Sequence, residues 1–336
     1  MPTNLKFHVC RCSVDDIDNL VTFASRLAHK NIVFLPRSKE HFLRKYLSYG
    51  EKTGTLNLFA IKREDGDIVG VSGFVPFKGF FGNKIFQGFI GTDAAIDPHY
   101  TVRYPGLAAM LAMSYESMVR VEKRFPLIFP NDKKVLKAFR GVRWGEFSRL
   151  EEWVNPFAMQ LIPDFGTGSI EVSRIEHFES SDQRFFKRVA SQYDFLMQAD
   201  IDLLNWRYFD NPYAAQSIVV AARRQGELAG YMVVQGVGVD ICIVDTVIDL
   251  EHPSALLLLL FKTLEYFDRT ASARILCYMS HQRYIEILSK IGFFRQHILK
   301  CLFFKAGLLF SNTSHDLMHA GTSQRYHFNG FAPHLC

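Results

Sequence analysis

The stretch GTDAAIDPHYTVRYPGLAAMLAMS, residues 91–114, changes character in its middle and decides how the rest of the chain is read. Upstream, Ile85 to Ile96 has the aromatic and β-branched content of a buried strand. Downstream, Leu107, Met110, Leu111, Ser114 and Met118 fall on one face of a helix running to about Val119. Between them lies Arg103-x-x-Gly106-x-Ala108. A small-residue loop that opens a helix leaves backbone N–H groups unpaired, with the positive end of the helix dipole behind them, which makes a cradle for phosphate. Tyr104, Gly106, Leu107 and Ala108 are the expected amide donors. Pro105 removes one amide, a loss that a helix tolerates at its N1 position.

The Arg-x-x-Gly-x-Ala spacing after a strand resembles the pyrophosphate loop of the GNAT superfamily of acyl-CoA N-acyltransferases. The preceding Asp93-Ala-Ala-Ile-Asp97-Pro98-His-Tyr100 is similar to the Asp-x-x-x-x-Pro-x-Tyr lead-in of some members. The resemblance implies coenzyme A, as acyl-CoA, bound along Ala95, Ile96 and Asp97 and at Arg103, Tyr104, Gly106, Leu107 and Ala108. It also implies Asn131, at a break after the next strand, on the CoA arm. Asp93 becomes the candidate to receive the acceptor amine's proton or to orient the acceptor, with His99 next. A strand-end carboxylate satisfied by neighbouring amides is the alternative for Asp93. The superfamily's tyrosine, which protonates the leaving thiolate from the following helix, would fall near Phe139, so that role is expected to be empty.

At 336 residues, nearly half of them apolar, the chain suits two globular domains. Its longest apolar run, Ala255 to Phe261, is far short of the roughly 20 residues that span a bilayer, and a cytoplasmic protein is expected. The six cysteines lack zinc-like spacing and read as reduced core thiols. A net charge of +5 suits anionic ligands, while the absence of a dense Lys/Arg stripe speaks against nucleic acid. His315 and His319 have metal-ligand spacing, but their surroundings read as a loose polar tail.

From the N-terminus the chain reads as strand, two helices (the second Lys39 to Tyr49), a hairpin turning at Asp65-Gly66, the strand and loop helix already described, a short strand at Leu127 to Phe129, and a helix from Lys133 to Phe139. Strands at Phe147–Val154 and Ala158–Leu161 are expected to close this half. The same order restarts near Gly168: a strand, a helix from Ser180, a hairpin at Gln225-Gly226, a buried strand Val239–Ile248, an apolar helix from Ser254, Arg274–Met279, His281–Lys290 and Ile298–Lys305. An α/β (α+β) fold follows, with two tandem GNAT-like domains, each a mixed, mostly antiparallel sheet flanked by helices. Their expected bounds are 1–165 and 166–310, with 311–336 as the tail.

The second half has Asp249-Leu-Glu-His-Pro-Ser254 where the first has its loop. With no glycine, and an acidic residue expected to face any phosphate, it reads as having lost the cradle. Trp206, Arg207 and Tyr208, followed by Asn211-Pro212, resemble a segment of two-part superfamily members linked to bacterial surface polysaccharides. An amphipathic core anchor is the favoured alternative for that segment. The resemblance implies transfer of 3-hydroxybutanoyl or acetyl to the amine of a nucleotide-linked amino sugar of the thymidine-diphosphate 3-amino-3,6-dideoxyhexose type. A Fem-like aminoacyltransferase and a non-catalytic binding or scaffold protein are the alternatives. The oligomeric state is open, a homo-oligomer included.

Overall fold

In a computed structural model the described residues are 6–30, 38–47, 54–81, 84–122, 124–128, 144–156, 169–197, 200–211, 217–237, 239–267, 274–304 and 326–327. Asn131, the helix at Lys133–Phe139, the strand at Ala158–Leu161, Pro212, His315 and His319 lie outside them.

The chain opens with β1 (Phe7–Ser13), α1 (Ile17–Ala28) and α2 (Lys39–Tyr46). Helix α1 forms because Leu20, Phe23, Ala24 and Leu27 share the face that is buried, and because Ser13 and Asp16 close a capping box ahead of it. β2 (Thr55–Arg63) and β3 (Ile68–Phe81) are joined through Gly66, whose φ of +86° suits only glycine well. Then come β4 (Lys84–Ile96), α3 (Pro98–Thr101), α4 (Leu107–Glu122), β5 (Phe125–Ile128) and β6 (Trp144–Asn155).

The second series is β7 (Ile170–Arg174), α5 (Gln183–Val189), β8 (Phe195–Leu196) and α6 (Ile201–Asn205), extended by a π turn over Trp206–Asp210. β9 (Ile218–Arg224) and β10 (Glu227–Val237) meet at Gln225 and Gly226, with φ of +52° and +80°, the signature of a type I′ hairpin. β11 (Asp240–Ile248), α7 (Ser254–Leu264), β12 (Arg274–Met279), α8 (Gln282–Lys290), β13 (Phe294–Phe304) and β14 (Tyr326–His327) complete it.

Two compact units result. Unit 1 comprises Met1–Phe77, Gln87–Phe147 and Cys301–His315, and unit 2 comprises Lys78–Phe86, Ser148–Lys300 and Asp316–Cys336. In the first, the strand order is β1-β2-β3-β4-β5-β13; in the second it is β7-β9-β10-β11-β12-β6. Along these orders β4 with β5 and β11 with β12 are parallel, while β1–β2, β2–β3, β5–β13, β7–β9, β9–β10, β10–β11 and β12–β6 are antiparallel. The two mixed sheets flanked by helices are the expected tandem arrangement.

The closing strands differ from expectation. β6 pairs with β12, Asn155 opposite Ile275 through Glu151 opposite Met279, so it closes the second series and not the first. The first is closed by the end of β13, where Leu302 and Phe303 pair with Ile128 and Leu127. The two series have exchanged their last strands. A period-2 pattern shows that a segment is extended but says nothing about which of two similar edges it will join. The tips of β3 and β4 also belong to unit 2, where Phe80 and Phe81 pair with Leu196 and Phe195. Two residues of the expected loose tail, Tyr326 and His327, form a strand beside β8.

Candidate functional site

Strand β4 is paired with β5 from Gly88 opposite Phe125 to Gly91 opposite Ile128, and there the described pairing stops. β4 itself continues to Ile96. Past Gly91 the strand kinks at Asp93, which takes a left-handed φ of +47°, a conformation that aspartate adopts more readily than most residues. The Asp97 N–H then bonds to Val69 O on β3 at 2.9 Å. Because successive residues of a strand present their amides to opposite sides, Ile96 turns its own N–H and C=O away from β3, toward the side on which β5 pairs with Gly88–Gly91. Ala95 is buried in the core beside α1, while Ile96 packs with Val69, Tyr100, Leu107 and Leu111.

At the end of this edge sits Asp97, buried, accepting from the His99 N–H at 2.9 Å and so capping α3. Lys30 Nζ is 2.6 Å from its Oδ1 and Arg26 Nε is 3.2 Å from its Oδ2. Burial alone would raise this carboxyl's pKa; the Lys30 hydrogen bond, the His99 N–H and the two cations outweigh it, and the pKa lies below the usual aspartate value. A depressed native pKa stabilises the fold above the unfolded pKa, and that contribution is lost as pH falls through the native pKa. Asp97→Asn should therefore cost about 2–3 kcal/mol at pH 7. Urea midpoints followed downward in pH should show the wild type converging on the variant below about pH 4.

Beyond Asp97 the loop is held by aromatic packing. Tyr104 stands edge-on to Phe7 of β1 at 4.9 Å, and the Tyr100 hydroxyl accepts from Arg63 Nη1 at 2.9 Å. Of the four expected donors, two are already engaged. Tyr104 N–H bonds to Tyr100 O at 2.8 Å and Leu107 N–H to Tyr104 O at 3.1 Å, because this turn satisfies its own amides as it tightens into α4. The N–H groups of Gly106, Ala108 and Ala109 have no partner among the described hydrogen bonds. Pro105 precedes the N-cap position, Gly106, rather than occupying N1, so it removes none of the helix's own donors. Gly106 has no positive φ, and a Cβ there would meet nothing within 4 Å. Arg103, Gly106, Ala108 and His99 are all exposed.

Asp93 is not a free base. Its Oδ2 is 2.6 Å from Lys45 Nζ, both side chains are almost wholly buried, and the Tyr46 hydroxyl donates to the same oxygen. Tyr46 fits only because Gly73 on β3 has no side chain: a Cβ there would come within 2.3 Å of the ring. Tyr115 bonds to Ser72 and Gly73 O beside it. Burial, then the Asp93 charge, pushes Tyr46 well above its ordinary pKa, and burial does the same for Tyr115, so both remain neutral phenols at physiological pH.

Much of the same construction recurs in the second series. Arg26 sends Nη1 to Asp67 at 3.1 Å, Nη2 to Ile68 O at 2.5 Å and Nε toward Asp97; Arg188 sends Nη1 to Glu227 at 3.0 Å, Nη2 to Leu228 O at 2.5 Å and Nε to within 3.4 Å of Asp249. Asp249 N–H bonds to Ala229 O as Asp97 N–H does to Val69 O, and Asp249 Oδ1 accepts from Glu251 N–H as Asp97 accepts from His99. The Tyr208 hydroxyl donates to Asp245 at 2.9 Å, as Tyr46 does to Asp93. Of the two acidic residues in the Asp249–Ser254 stretch, Asp249 is turned inward onto Arg188 and Gln192, while Glu251 is exposed. Tyr208 is a buried core anchor whose hydroxyl is already taken, and Trp206 and Arg207 flank it half-buried.

What distinguishes the halves is the loop. In the second, Ala255 N–H bonds to His252 O at 3.0 Å and Leu256 N–H to Pro253 O at 3.2 Å, so the two amides that match Ala108 and Ala109 are taken by the turn itself. The paired Asp-x-x-x-Asp (Asp93/Asp97, Asp245/Asp249) and the Lys45-Tyr46 and Arg207-Tyr208 dipeptides carry this repeat in the sequence, and only the contacts make them recognisable. Among the described residues there is no group of three metal-binding side chains, and no described helix is long and apolar enough to cross a membrane. Cys10, Cys12, Cys242 and Cys277 are unbridged; burial, the largest factor for each, raises their pKa, Cys242 to about 11.

No protein-family sequence model and no curated protein sequence matches the chain. Solved structures do match. A GCN5-related N-acetyltransferase from Anabaena variabilis aligns at a TM-score of 0.61 and 12% identity, over 89% of this chain and 72% of that one. One from Kribbella flavida aligns at 0.57 and 12%, over 89% and 71%. Saccharomyces cerevisiae N-myristoyltransferase with bound myristoyl-CoA aligns at 0.59 and 13%, over 90% and 80%. The chain has the GCN5-related N-acetyltransferase fold. It carries that fold twice, as tandem GNAT-like units.

Proposed function

We propose that this chain is an acyl-CoA-dependent N-acyltransferase whose cofactor lies in unit 1. The observation that carries the reading is a single run: a strand edge with no described pairing to β5 past Gly91, ending at the amides of Gly106, Ala108 and Ala109, which have no partner among the described hydrogen bonds, at the start of a 16-residue helix. Those amides and the helix dipole suit a diphosphate, with Arg103 and His99 exposed beside them. The Ile96 backbone suits the amides of a pantetheine arm. When bound, acyl-CoA supplies an activated thioester; the residues have to hold the acceptor amine neutral and in line. Positioning of this kind is worth up to about 7–11 kcal/mol, and an added acid–base group typically about 10²- to 10⁴-fold.

Asp93, held by Lys45 and Tyr46, orients the acceptor in this reading more than it takes its proton. His99 stands beyond Ile96 at the loop, and its place fits the anion better than the reacting amine. Asn131 keeps its proposed place on the cofactor arm. The acceptor is proposed to be a nucleotide-linked amino sugar in surface-polysaccharide assembly, on the resemblance of the Trp206–Pro212 segment. A silent, scaffold-type protein is the competing reading, favoured by the absence of any free base at Asp93.

A thermal-shift titration separates the two. CoA at 100 times its dissociation constant stabilises by about 2.7 kcal/mol, and no shift at millimolar CoA removes the enzyme reading. Gly106→Val is the matching variant. Among the described residues nothing lies within 4 Å of the new Cβ, so the melting temperature without ligand should be nearly unchanged while CoA affinity falls at least about tenfold, by obstruction of the phosphate's approach. Wild-type affinity in this variant would place the cofactor elsewhere.

A further inference from the structure

In unit 2 the parallel pairing of β11 with β12 ends before β11 does, at the place where the described pairing of β4 with β5 ends in unit 1. The last paired residues are Ile243 and Cys277, six residues before Asp249, just as Gly91 lies six before Asp97. Asp249 N–H points to β10, so by the same alternation Ile248 turns its N–H and C=O toward the opening, as Ile96 does in unit 1. Here those groups are satisfied from within the unit. Ile248 N–H donates to the Tyr284 hydroxyl at 2.8 Å, the Tyr193 hydroxyl donates to Ile248 O at 2.6 Å, and the two hydroxyls are 2.9 Å apart. Both tyrosines are fully buried. One residue past Asp249 the arrangement continues: Leu250 N–H donates to Gln192 Oε1 at 2.6 Å and Leu250 O accepts from Arg283 Nη1 at 3.1 Å.

The side chains also follow what the backbone needs. Unit 1 has Pro98 after its aspartate, which offers no N–H, and Lys30, a pure donor, meets Asp97. Unit 2 has Leu250, which does offer one, and Gln192 both donates to Asp249 at 2.8 Å and accepts from Leu250. An unpaired buried backbone N–H or C=O costs about 1–3 kcal/mol, so an opening that receives no ligand has to be closed by the protein's own groups.

We infer that unit 2 contains a second, latent cleft for a linear amide-bearing ligand of the pantetheine type, filled from within by Tyr284 and Tyr193 at the backbone of Ile248. The ligand class rests on the reading of unit 1; the filling rests on the hydrogen bonds of unit 2 alone. The cleft takes the arm and not a whole CoA, because the Ala255 and Leu256 amides at the start of α7 are taken by their own turn.

The test is Tyr284→Ala in the full chain, which removes the ring and frees the Ile248 N–H. Pantetheine, which lacks the nucleotide, is titrated by calorimetry against this variant and the wild type, with toluene as a filler that offers no amide. The variant is expected to bind one more pantetheine than the wild type does and to gain about 3 °C or more in melting temperature at saturating pantetheine, toluene giving less. A folded variant with no added pantetheine site, or one stabilised by toluene equally well, overturns the inference. Should Tyr284→Ala not fold by itself, it is refolded with pantetheine or toluene: cooperative melting recovered with pantetheine and not toluene supports the latent cleft, and any other result overturns it. The wild-type titration reads unit 1 separately, so failure of the cofactor assignment there shows as zero sites in the wild type and leaves the difference between the two proteins to be judged.

Discussion

Asp93→Asn is expected to lower the unfolding free energy by about 3–5 kcal/mol, measured by urea denaturation at neutral pH. The substitution keeps the shape, and asparagine tolerates the left-handed backbone at this position, so neither packing nor strain should contribute. What changes is that Lys45, only 5% exposed, loses the carboxylate 2.6 Å away and remains a buried, uncompensated cation. Removing both charges should recover most of the loss, and the double variant Lys45→Met/Asp93→Asn is expected to be more stable than Asp93→Asn alone. A loss below about 1 kcal/mol for the single change would mean that the pair is worth no more than a surface ion pair. The same variant bears on the proposed chemistry. If Asp93 orients the acceptor amine, kcat per folded molecule should fall about 10²-fold at pH 7 without vanishing, whereas a rise in acceptor KM with kcat intact would make it a binding residue.

Gly88→Ala should be nearly as damaging, at about 2–4 kcal/mol, and for a different reason. A Cβ at Gly88 would lie 2.7 Å from the carbonyl oxygen of Phe125 and 2.3 Å from the Phe77 ring. The ring can turn; the carbonyl belongs to the parallel strand paired with Gly88 and cannot move without parting β4 from β5. The separation of those strands, which should begin only past Gly91, would begin three residues early. Melting temperature reads the stability, and CoA affinity should weaken with it because the unpaired edge is no longer held at its root. Retention of both would show that β5 yields easily and that the position of the parting is not set by close contact. Gly106→Val is the natural companion, since it should spare the fold and touch the ligand alone.

Much of this molecule was legible before any contact was known. The apolar spacing of α1 and α4, the Asp65-Gly66 and Gln225-Gly226 turns and the strand–loop–helix at residues 91–114 are local matters, decided by which residues tolerate which backbone angles and by which faces can be buried. The order of elements, and its repetition, follows from these. So does the loop as a candidate anion site, because small residues ahead of a helix leave amides free whatever surrounds them. The sequence by itself thus determined the elements, their order, their duplication and the place of the loop.

What joins to what was decided only by the tertiary structure. Whether β6 or β13 closes a given sheet depends on a choice between two edges of similar pattern, separated by more than a hundred residues of chain, and no local period distinguishes them. Asp93 reads as a base or as a strand-end carboxylate satisfied by neighbouring amides with equal ease until Lys45 is found beside it, and nothing in the spacing of Asp249 shows that Arg188 and Gln192 hold it inward. The state of a titratable or polar group is fixed by the burial and the partners that folding brings to it from distant parts of the chain, and those partners carry no sequence spacing from which they could be read.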